Sequence, residues 1–295
     1  MKQELSILIP VYNDVGTPLV TQLHKQATGI NGLQYEIIVA DDGSTDSAVI
    51  KANSIINDLP HCHYLLREFN SGRAAIRNFL AQQAHYEWLL FLDGDMSIKS
   101  ESFLHNYLEA ADCQVVYGGY CVGEGEPGNL RYRYEKASER LHTAAQRQQH
   151  PYRDFHTSNF MILRELMMSI PFDERFLHYG YEDVLFGKTL SQHHIRIKHI
   201  DNPVGFDTFE PNEQFLAKTE EGMRTLHDFR NELRGYNNLL TLVGGIHIAF
   251  VRSAIRLWHR LFAPLERRIL TGRHPSLTLF RLYKLGYYLT LTKND

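Results

Sequence analysis

No run of about 18 unbroken apolar residues occurs in this 295-residue chain, so a membrane-spanning helix is not expected. Cysteine is scarce: Cys62, Cys113 and Cys121 show neither metal-ligand nor redox spacing, which fits core thiols in a reducing compartment. A leader pattern is missing, because Met1-Lys2-Gln3-Glu4 leads straight into a strand-like run, and a cytoplasmic location is the expectation. No Gly-x-Gly-x-x-Gly follows that first strand, which disfavours a dinucleotide-binding dehydrogenase. Basic excess is lacking as well: the net charge of −3 gives no electrostatic case for a nucleic-acid partner.

Apolar residues make up 43% and charged residues 22%, as in an ordinary globular protein with enough length to bury a core. The charge is unevenly spread. From Arg252 to the end there are nine Lys/Arg and two acids, so an acidic body carries a basic tail that suits a surface partner.

Leu5–Ile9, Tyr35–Ala40, Cys62–Leu66 and Trp88–Leu92 are apolar runs of strand length. Helical patterns at 17–28, after Asp46 and at 74–83 separate them. This β-α alternation predicts a parallel sheet with helices on both faces. Polar residues cluster just past the strand ends: Tyr12-Asn13, Asp41-Asp42, Asn70, and Asp93 with Asp95. Open α/β sheets bind ligands at that edge. Further on, 101–111, 129–149, 182–192 and 212–233 read as helices, and 114–120, 157–163 and 195–200 as strands. The span 129–149 reads as polar and exposed.

Trp88-Leu89-Leu90-Phe91-Leu92 runs directly into Asp93-Gly94-Asp95. Carboxylates beside a buried strand end are costly unless a cation compensates them. Two hard oxygen ligands beside open positions suit Mg²⁺ or Mn²⁺ holding a diphosphate, and Gly94 lets the backbone turn and approach a ligand closely. The plain alternative is a surface turn, since Asp-Gly is common in turns.

Five stretches occur in order: Ile9-Pro10-Val11-Tyr12-Asn13, Asp41-Asp42-Gly43-Ser44-Thr45-Asp46, Gly72 with Arg77-Asn78, Asp93-Gly94-Asp95, and Gly180-Tyr181-Glu182-Asp183. Together they resemble the motifs of family 2 glycosyltransferases, inverting enzymes of the GT-A fold, over roughly residues 5 to 235. Phe172 to Leu190 also resembles bacterial polysaccharide and chondroitin-type polymerases. The resemblance implies a GT-A-type, mostly parallel sheet flanked by helices, with a helical C-terminal appendage. It divides the chain into residues 1–235 (donor-binding 1–98, acceptor-binding 99–235) and an appendage at 236–295.

It also implies roles. Pro10, Val11 and Tyr12 would pack on the donor base, with Tyr12 offering a stacking face. Asp41 or Asp42 would accept the base N–H, Asp42 being favoured, while the other orients the turn. Gly72 and Arg77 would belong to the nucleotide-sugar site, Arg77 tying either the diphosphate site or Asp93. Arg73 reads as an ordinary surface residue. Asp95 would hold Mn²⁺ or Mg²⁺ with Asp93. Asp183 would be the base that takes the acceptor hydroxyl's proton, and Glu182 would hold the acceptor or orient the base. Both acids also suit the first turn of a helix on dipole grounds alone. Many relatives carry a metal-completing histidine where Phe206 stands here, so Asp207 or His199 would have to substitute.

The implied reaction moves a hexosyl or N-acetylhexosaminyl unit from a nucleotide-sugar, UDP-linked by expectation, to a hydroxyl of a glycan or lipid-linked acceptor in cell-surface polysaccharide synthesis. A binder without turnover is the rival reading. A nucleotidyltransferase is a weaker one, since the loop after the first strand is neither Gly-rich nor basic. In the tail, Leu257, Trp258, Leu261, Phe262, Leu265 and Ile269 recur at helical spacing beside arginines, with Pro264 expected to interrupt or kink the helix. That segment can dock on anionic lipid, at the cytoplasmic face of the inner membrane, or pack on the sheet or on a second copy of the chain.

Overall fold

The computed structural model describes residues 3–110 and 113–292. Its first half alternates as the sequence predicts: β1 (Glu4–Val11), α1 (Thr17–Thr28), β2 (Gln34–Asp41), α2 (Ser47–Ser54), β3 (Cys62–Leu66), α3 (Arg73–Gln83) and β4 (Trp88–Leu92). The chain continues through β5 (Met96–Ile98), α4 (Phe103–Glu109), β6 (Val115–Tyr117), β7 (Tyr120–Val122), α5 (Leu130–Glu139), α6 (Ala144–Arg147), β8 (Asn159–Leu163) and α7 (Arg164–Ser169). It ends with α8 (Glu182–Gln192), β9 (Ile197–His199), β10 (Val204–Phe206), α9 (Asn212–Asp228), α10 (Asn238–Gly245), α11 (Ala249–Leu270) and α12 (Leu277–Leu291). Ala111, in the helix expected at 101–111, lies outside the described residues.

The main sheet has seven strands in the order β3-β2-β1-β4-β8-β6-β9. The strands from β3 to β4 are mutually parallel, and β8 runs antiparallel to both β4 and β6. Continuous apolar runs form these strands because both sheet faces are covered. Along β1 and β2, Leu5, Ile7, Ile9, Ile37 and Val39 pack on one face. Leu8, Ile38 and Ala40 pack on the other, with Phe91 of β4 and the side chains of α3. A second sheet, β5-β10-β7, stands beyond the C-terminal edge.

Several sequence expectations give way here. The helix expected over 129–149 is broken into α5 and α6, with Thr143 capping the second, and Arg147 at its end turns inward. Its guanidinium donates to the carbonyls of Gly118 (3.2 Å) and Ile200 (2.9 Å). The strand expected over 114–120 splits into β6 and β7, which join different sheets. Gly119 makes the crossing at φ +83°, with Arg147 so close that a Cβ would clash. The helix expected over 212–233 stops at Asp228, and α11 runs through Pro264 without a break in its assignment.

The C-terminal helices are not detached. Phe280 and Tyr283 of α12 pack with Phe215 and Leu216 of α9 and Leu130 of α5. By contrast, α11 leaves Phe250, Leu257, Trp258, Leu261 and Leu265 more than half exposed.

Candidate active site

The loops at the C-terminal ends of the parallel strands are stitched together by backbone-seeking side chains. Asn13 Oδ1 accepts from the Thr45 and Asp46 amides (2.9 and 3.1 Å), and Ser44 Oγ accepts from the Asn13 amide (2.7 Å). Asp46 caps α2 through the Ala48 amide. Tyr12 projects from this platform with 48% of its surface open, while Val11 beside it is buried. Gly94 packs directly on Val11 and the Pro10 carbonyl; a Cβ there would lie 2.6 Å from Val11 Cγ1. Glycine therefore brings the Asp93–Asp95 turn against the end of β1.

The paired acids after β2 divide their work. Asp41 is fully buried, its Oδ1 accepting from the Ser44 amide (2.7 Å) and its Oδ2 from the Tyr64 hydroxyl (2.6 Å). This corrects the expectation that either acid could meet the donor base: Asp41 presents no exposed oxygen and instead orients its turn. Asp42 holds the Asn70–Gly72 turn through the Ser71 and Gly72 amides (3.0 and 2.9 Å) and pairs with Arg67 (3.3 Å).

Arg77 is the pivot of the site. It is 1% exposed on α3, donates to Asp93 Oδ1 at 2.5 Å, and stands 3.6 Å from Glu182 Oε1. One buried guanidinium thus ties the carboxylate past β4 to the first residue of α8, which lies far along the chain from both. Its Nε finds no partner. The entry to α8 is unusual. Gly180 has φ +96°, and Tyr181 follows in the left-handed region at φ +72°, although it has a Cβ. Such a conformation costs on the order of 1–3 kcal/mol and persists only where packing over-determines it. Here Tyr181 packs between two hydrophobic clusters, and the turn delivers Glu182 and Asp183 to the cleft.

Asp183 Oδ2 meets His156 Nδ1 at 2.9 Å. Burial works against both ions, yet their mutual hydrogen bond wins, raising the His156 pKa above 6.5 and lowering that of Asp183 below 3.8. Glu182 goes the other way: burial, then the charge of Asp183, push it above the usual carboxylate range. Burial and the adjacent Asp93 charge raise Asp95 to about 6.

A cavity of about 380 Å³ opens here, lined by Arg73, Asp93, His156, Glu182 and Asp183 at one part of its wall, and by residues of α5, α9 and α12 at another. Tyr12, Asp42 and Asp95 lie outside this lining. Arg73 and His156 are among the lining residues that the sequence pattern does not assign to a site. Arg73 is exposed to solvent but is held in the cleft, its guanidinium 5.0 Å over the Tyr179 ring. His156 carried no local signal, since its partner is 27 residues away.

The donor set for a metal is two carboxylates. Arg77 compensates Asp93, whereas burial and the Asp93 charge still push Asp95 up to about 6, and a divalent cation at this turn would relieve that charge. Among the described residues no group of three or more His, Cys, Asp or Glu is arranged to hold a metal. Neither tentative third ligand is free. His199 Nε2 meets the Pro151 carbonyl (2.9 Å) and its Nδ1 the Arg147 guanidinium (3.3 Å). Asp207 is clamped by Lys99 (2.7 Å) and Ser97. Both tentative assignments are therefore corrected: these side chains are committed to other partners.

An α/β sheet with its polar cleft at the carboxyl edge, and carboxylates converging from two halves of the chain, defines a GT-A architecture. Residues 6–170, more than half of the chain, match the model described as Glycosyl transferase family 2, and the chain belongs to that family. Chondroitin synthase of Pasteurella multocida is 24% identical over 259 residues, covering 74% of this chain and 26% of that protein. Poly(ribitol-phosphate) beta-glucosyltransferase of Bacillus spizizenii is 36% identical over 107 residues, covering 35% of this chain and 17% of that one. The chain spans about half or less of the length of the curated relatives it matches. Among solved structures, S. aureus TarS 1–349 in complex with UDP-GlcNAc superposes with a TM-score of 0.52 at 18% identity, covering 99% of this chain and 91% of that one. The mannosyltransferase PcManGT of Pyrobaculum calidifontis, in complex with GDP-Man and Mn²⁺, gives a TM-score of 0.56 at 16% identity, covering 98% and 86%. These likenesses show the shared fold.

Proposed function

We propose that this glycosyltransferase moves a sugar, with inversion, from a UDP-linked donor to a hydroxyl of a glycan or lipid-linked acceptor in cell-surface polysaccharide synthesis. The observation that carries the reading is the shared arginine: Arg77 holds Asp93 and Glu182 together, while Asp183 opens onto the same cavity. The names of the polysaccharide-acting relatives, and the nucleotide-sugars in the structural neighbours, support it.

In this reading Tyr12 stacks on the donor base, Pro10 and Val11 shape its seat, and Asp42 with Gly72 holds the adjoining turn. Asp183 takes the acceptor hydroxyl's proton as that oxygen attacks the anomeric carbon, and the bond from that carbon to the diphosphate breaks. Glu182, fixed by Arg77, positions the acceptor. Asp95 and Asp93 would hold Mn²⁺ or Mg²⁺, which neutralises charge on the departing diphosphate. The transferred unit is a hexosyl or N-acetylhexosaminyl group. Residues 1–98 form the donor half and 99–235 the acceptor half, with 236–295 as the appendage.

Titration calorimetry with UDP and GDP in the presence of Mn²⁺ tests the donor side. UDP should bind more tightly than GDP, and Asp95→Asn should weaken Mn²⁺-dependent binding by about tenfold or more, because a charged ligand is replaced by a neutral one. Unchanged binding in Asp95→Asn would remove the metal assignment. Tighter GDP binding would move the donor to the guanine series.

The exposed stripe on α11 supports a peripheral contact with anionic lipid, since arginines flank it and no helix here is long and apolar enough to cross a membrane among the described residues. Deleting the tail would also strip α12 from α9, so point changes are the cleaner probe. Co-sedimentation with phosphatidylglycerol vesicles should fall about tenfold in Leu257→Ser/Leu261→Ser/Leu265→Ser. Absent vesicle binding combined with concentration-dependent dimerisation would assign the stripe to a second copy of the chain.

A further inference from the structure

The cavity does not end at the carboxylates. Its wall continues as a ladder of alternating cations and aromatic rings. Arg73 lies over Tyr179 (5.0 Å), and the Tyr179 hydroxyl accepts from Arg131 at 3.5 Å. Arg131 lies over Phe215 (4.9 Å) and Phe206 (5.1 Å). Phe215 meets Phe280 at 5.4 Å between centroids, and Lys284 Nζ lies 4.8 Å over Phe280 and 4.6 Å over Tyr134. Every one of these residues lines the cavity. The last rungs, Phe280 and Lys284, come from α12, so the C-terminal appendage completes the wall.

The charges along this wall are not equally satisfied. Arg131 pairs with Glu135 (3.0 Å) and Lys218 with Glu210 (3.2 Å). Lys284 is half-buried, and among the described residues it meets no carboxylate. Among those residues its one hydrogen bond is to the Tyr134 hydroxyl, at 3.4 Å. An ammonium carries three donors, so at least two remain for a ligand. A partly desolvated cation on two aromatic faces, with donors to spare, is a seat for an anion. Aromatic walls with a few convergent polar groups are also the usual lining of a small-molecule pocket of this size.

We propose that the wall built by α5, α9 and α12 is an acceptor subsite for a glycan bearing an anionic group, a carboxylate or a phosphate, which Lys284 binds. The aromatic rungs pack on the apolar faces of sugar rings, and the anion fixes the register that brings a hydroxyl to Asp183. This inference rests on the glycosyltransferase reading and names its acceptor class.

The test is binding by the full chain, with Mn²⁺ and UDP present, of three probes: a neutral glucose tetrasaccharide, a uronate-containing tetrasaccharide and a glycerol-phosphate tetramer. At least one anionic probe should bind about tenfold or more tightly than the neutral one, with the two arms separating carboxylate from phosphate. Lys284→Gln should erase that preference and Lys284→Arg should keep it. If Lys284→Gln does not fold, the wild-type preference must itself shrink as NaCl rises from about 50 to about 500 mM. Equal binding of neutral and anionic probes, no binding of either anion, a preference that survives Lys284→Gln, or one indifferent to salt overturns the subsite. Failure to bind UDP would instead sink the donor reading beneath it.

Discussion

Asp183→Asn should lower sugar transfer by about 10³-fold while leaving nucleotide binding near the wild-type value. The magnitude is that of removing a positioned general base, roughly 10²–10⁴. Asn keeps the shape but cannot accept the proton. Nucleotide binding should survive because Asp183 faces His156 and the cavity rather than the loops around Tyr12 and Asp95. The substitution has a second readout. His156 titrates above 6.5 because its bond to Asp183 outweighs its burial. In Asp183→Asn the largest opposing contribution is lost and only the charges of Glu135 and Asp154 still oppose burial, so the His156 midpoint should fall below its wild-type value when followed by NMR. The same pair sets a stability window. Asp183 contributes fully above its unfolded value of 3.8, and His156 contributes fully below 6.5 and fades as pH rises through its raised folded value. Normal turnover by Asp183→Asn would end its assignment as the base, and an unmoved His156 midpoint would contradict the pairing.

Arg77→Ala should destabilise the fold by about 3–5 kcal/mol, the usual cost of removing one partner from a buried ion pair. The guanidinium is 1% exposed and faces Asp93 on one side and Glu182 on the other. Without it, two negative groups remain in a poorly solvated site, and Glu182, already pushed up by burial and by Asp183, would protonate more readily. Arg77→Lys should recover only part of the loss, because an ammonium cannot span both carboxylates as a planar fork does. Urea unfolding measures the change. A shift under about 1 kcal/mol would show that Arg77 is not the tie between the two halves of the cleft.

Much of this arrangement is written in local patterns. The four parallel strands are legible because Leu5–Ile9, Tyr35–Ala40, Cys62–Leu66 and Trp88–Leu92 are apolar runs of strand length bounded by turn residues. The strand-end loops follow from the same runs, and with them Asp93 and Asp95, whereas Glu182 and Asp183 stood out only through the resemblance to the family's motifs. The second sheet is less legible. Its strands β5, β7 and β10 have three residues each, too few to show a period. Arg147 hid in a polar stretch because its partners are carbonyls supplied by distant strand ends. Arg73 looked like a surface residue and is exposed, but exposure inside a cleft means access to a ligand. His156 and Lys284 owe their places to tertiary contacts with α8 and with α5, and no local pattern announces them.

If these carboxylates act on one nucleotide-sugar in one cleft, ¹H NMR of the full chain with Mn²⁺ and a panel of UDP- and GDP-linked sugars will show it most directly. At least one UDP-sugar should lose its nucleotide, the sugar should first appear in the anomeric configuration opposite to the donor's, and Asp183→Asn should abolish the signal. Binding of UDP without turnover of any donor, or a product that retains the donor's configuration, would contradict it.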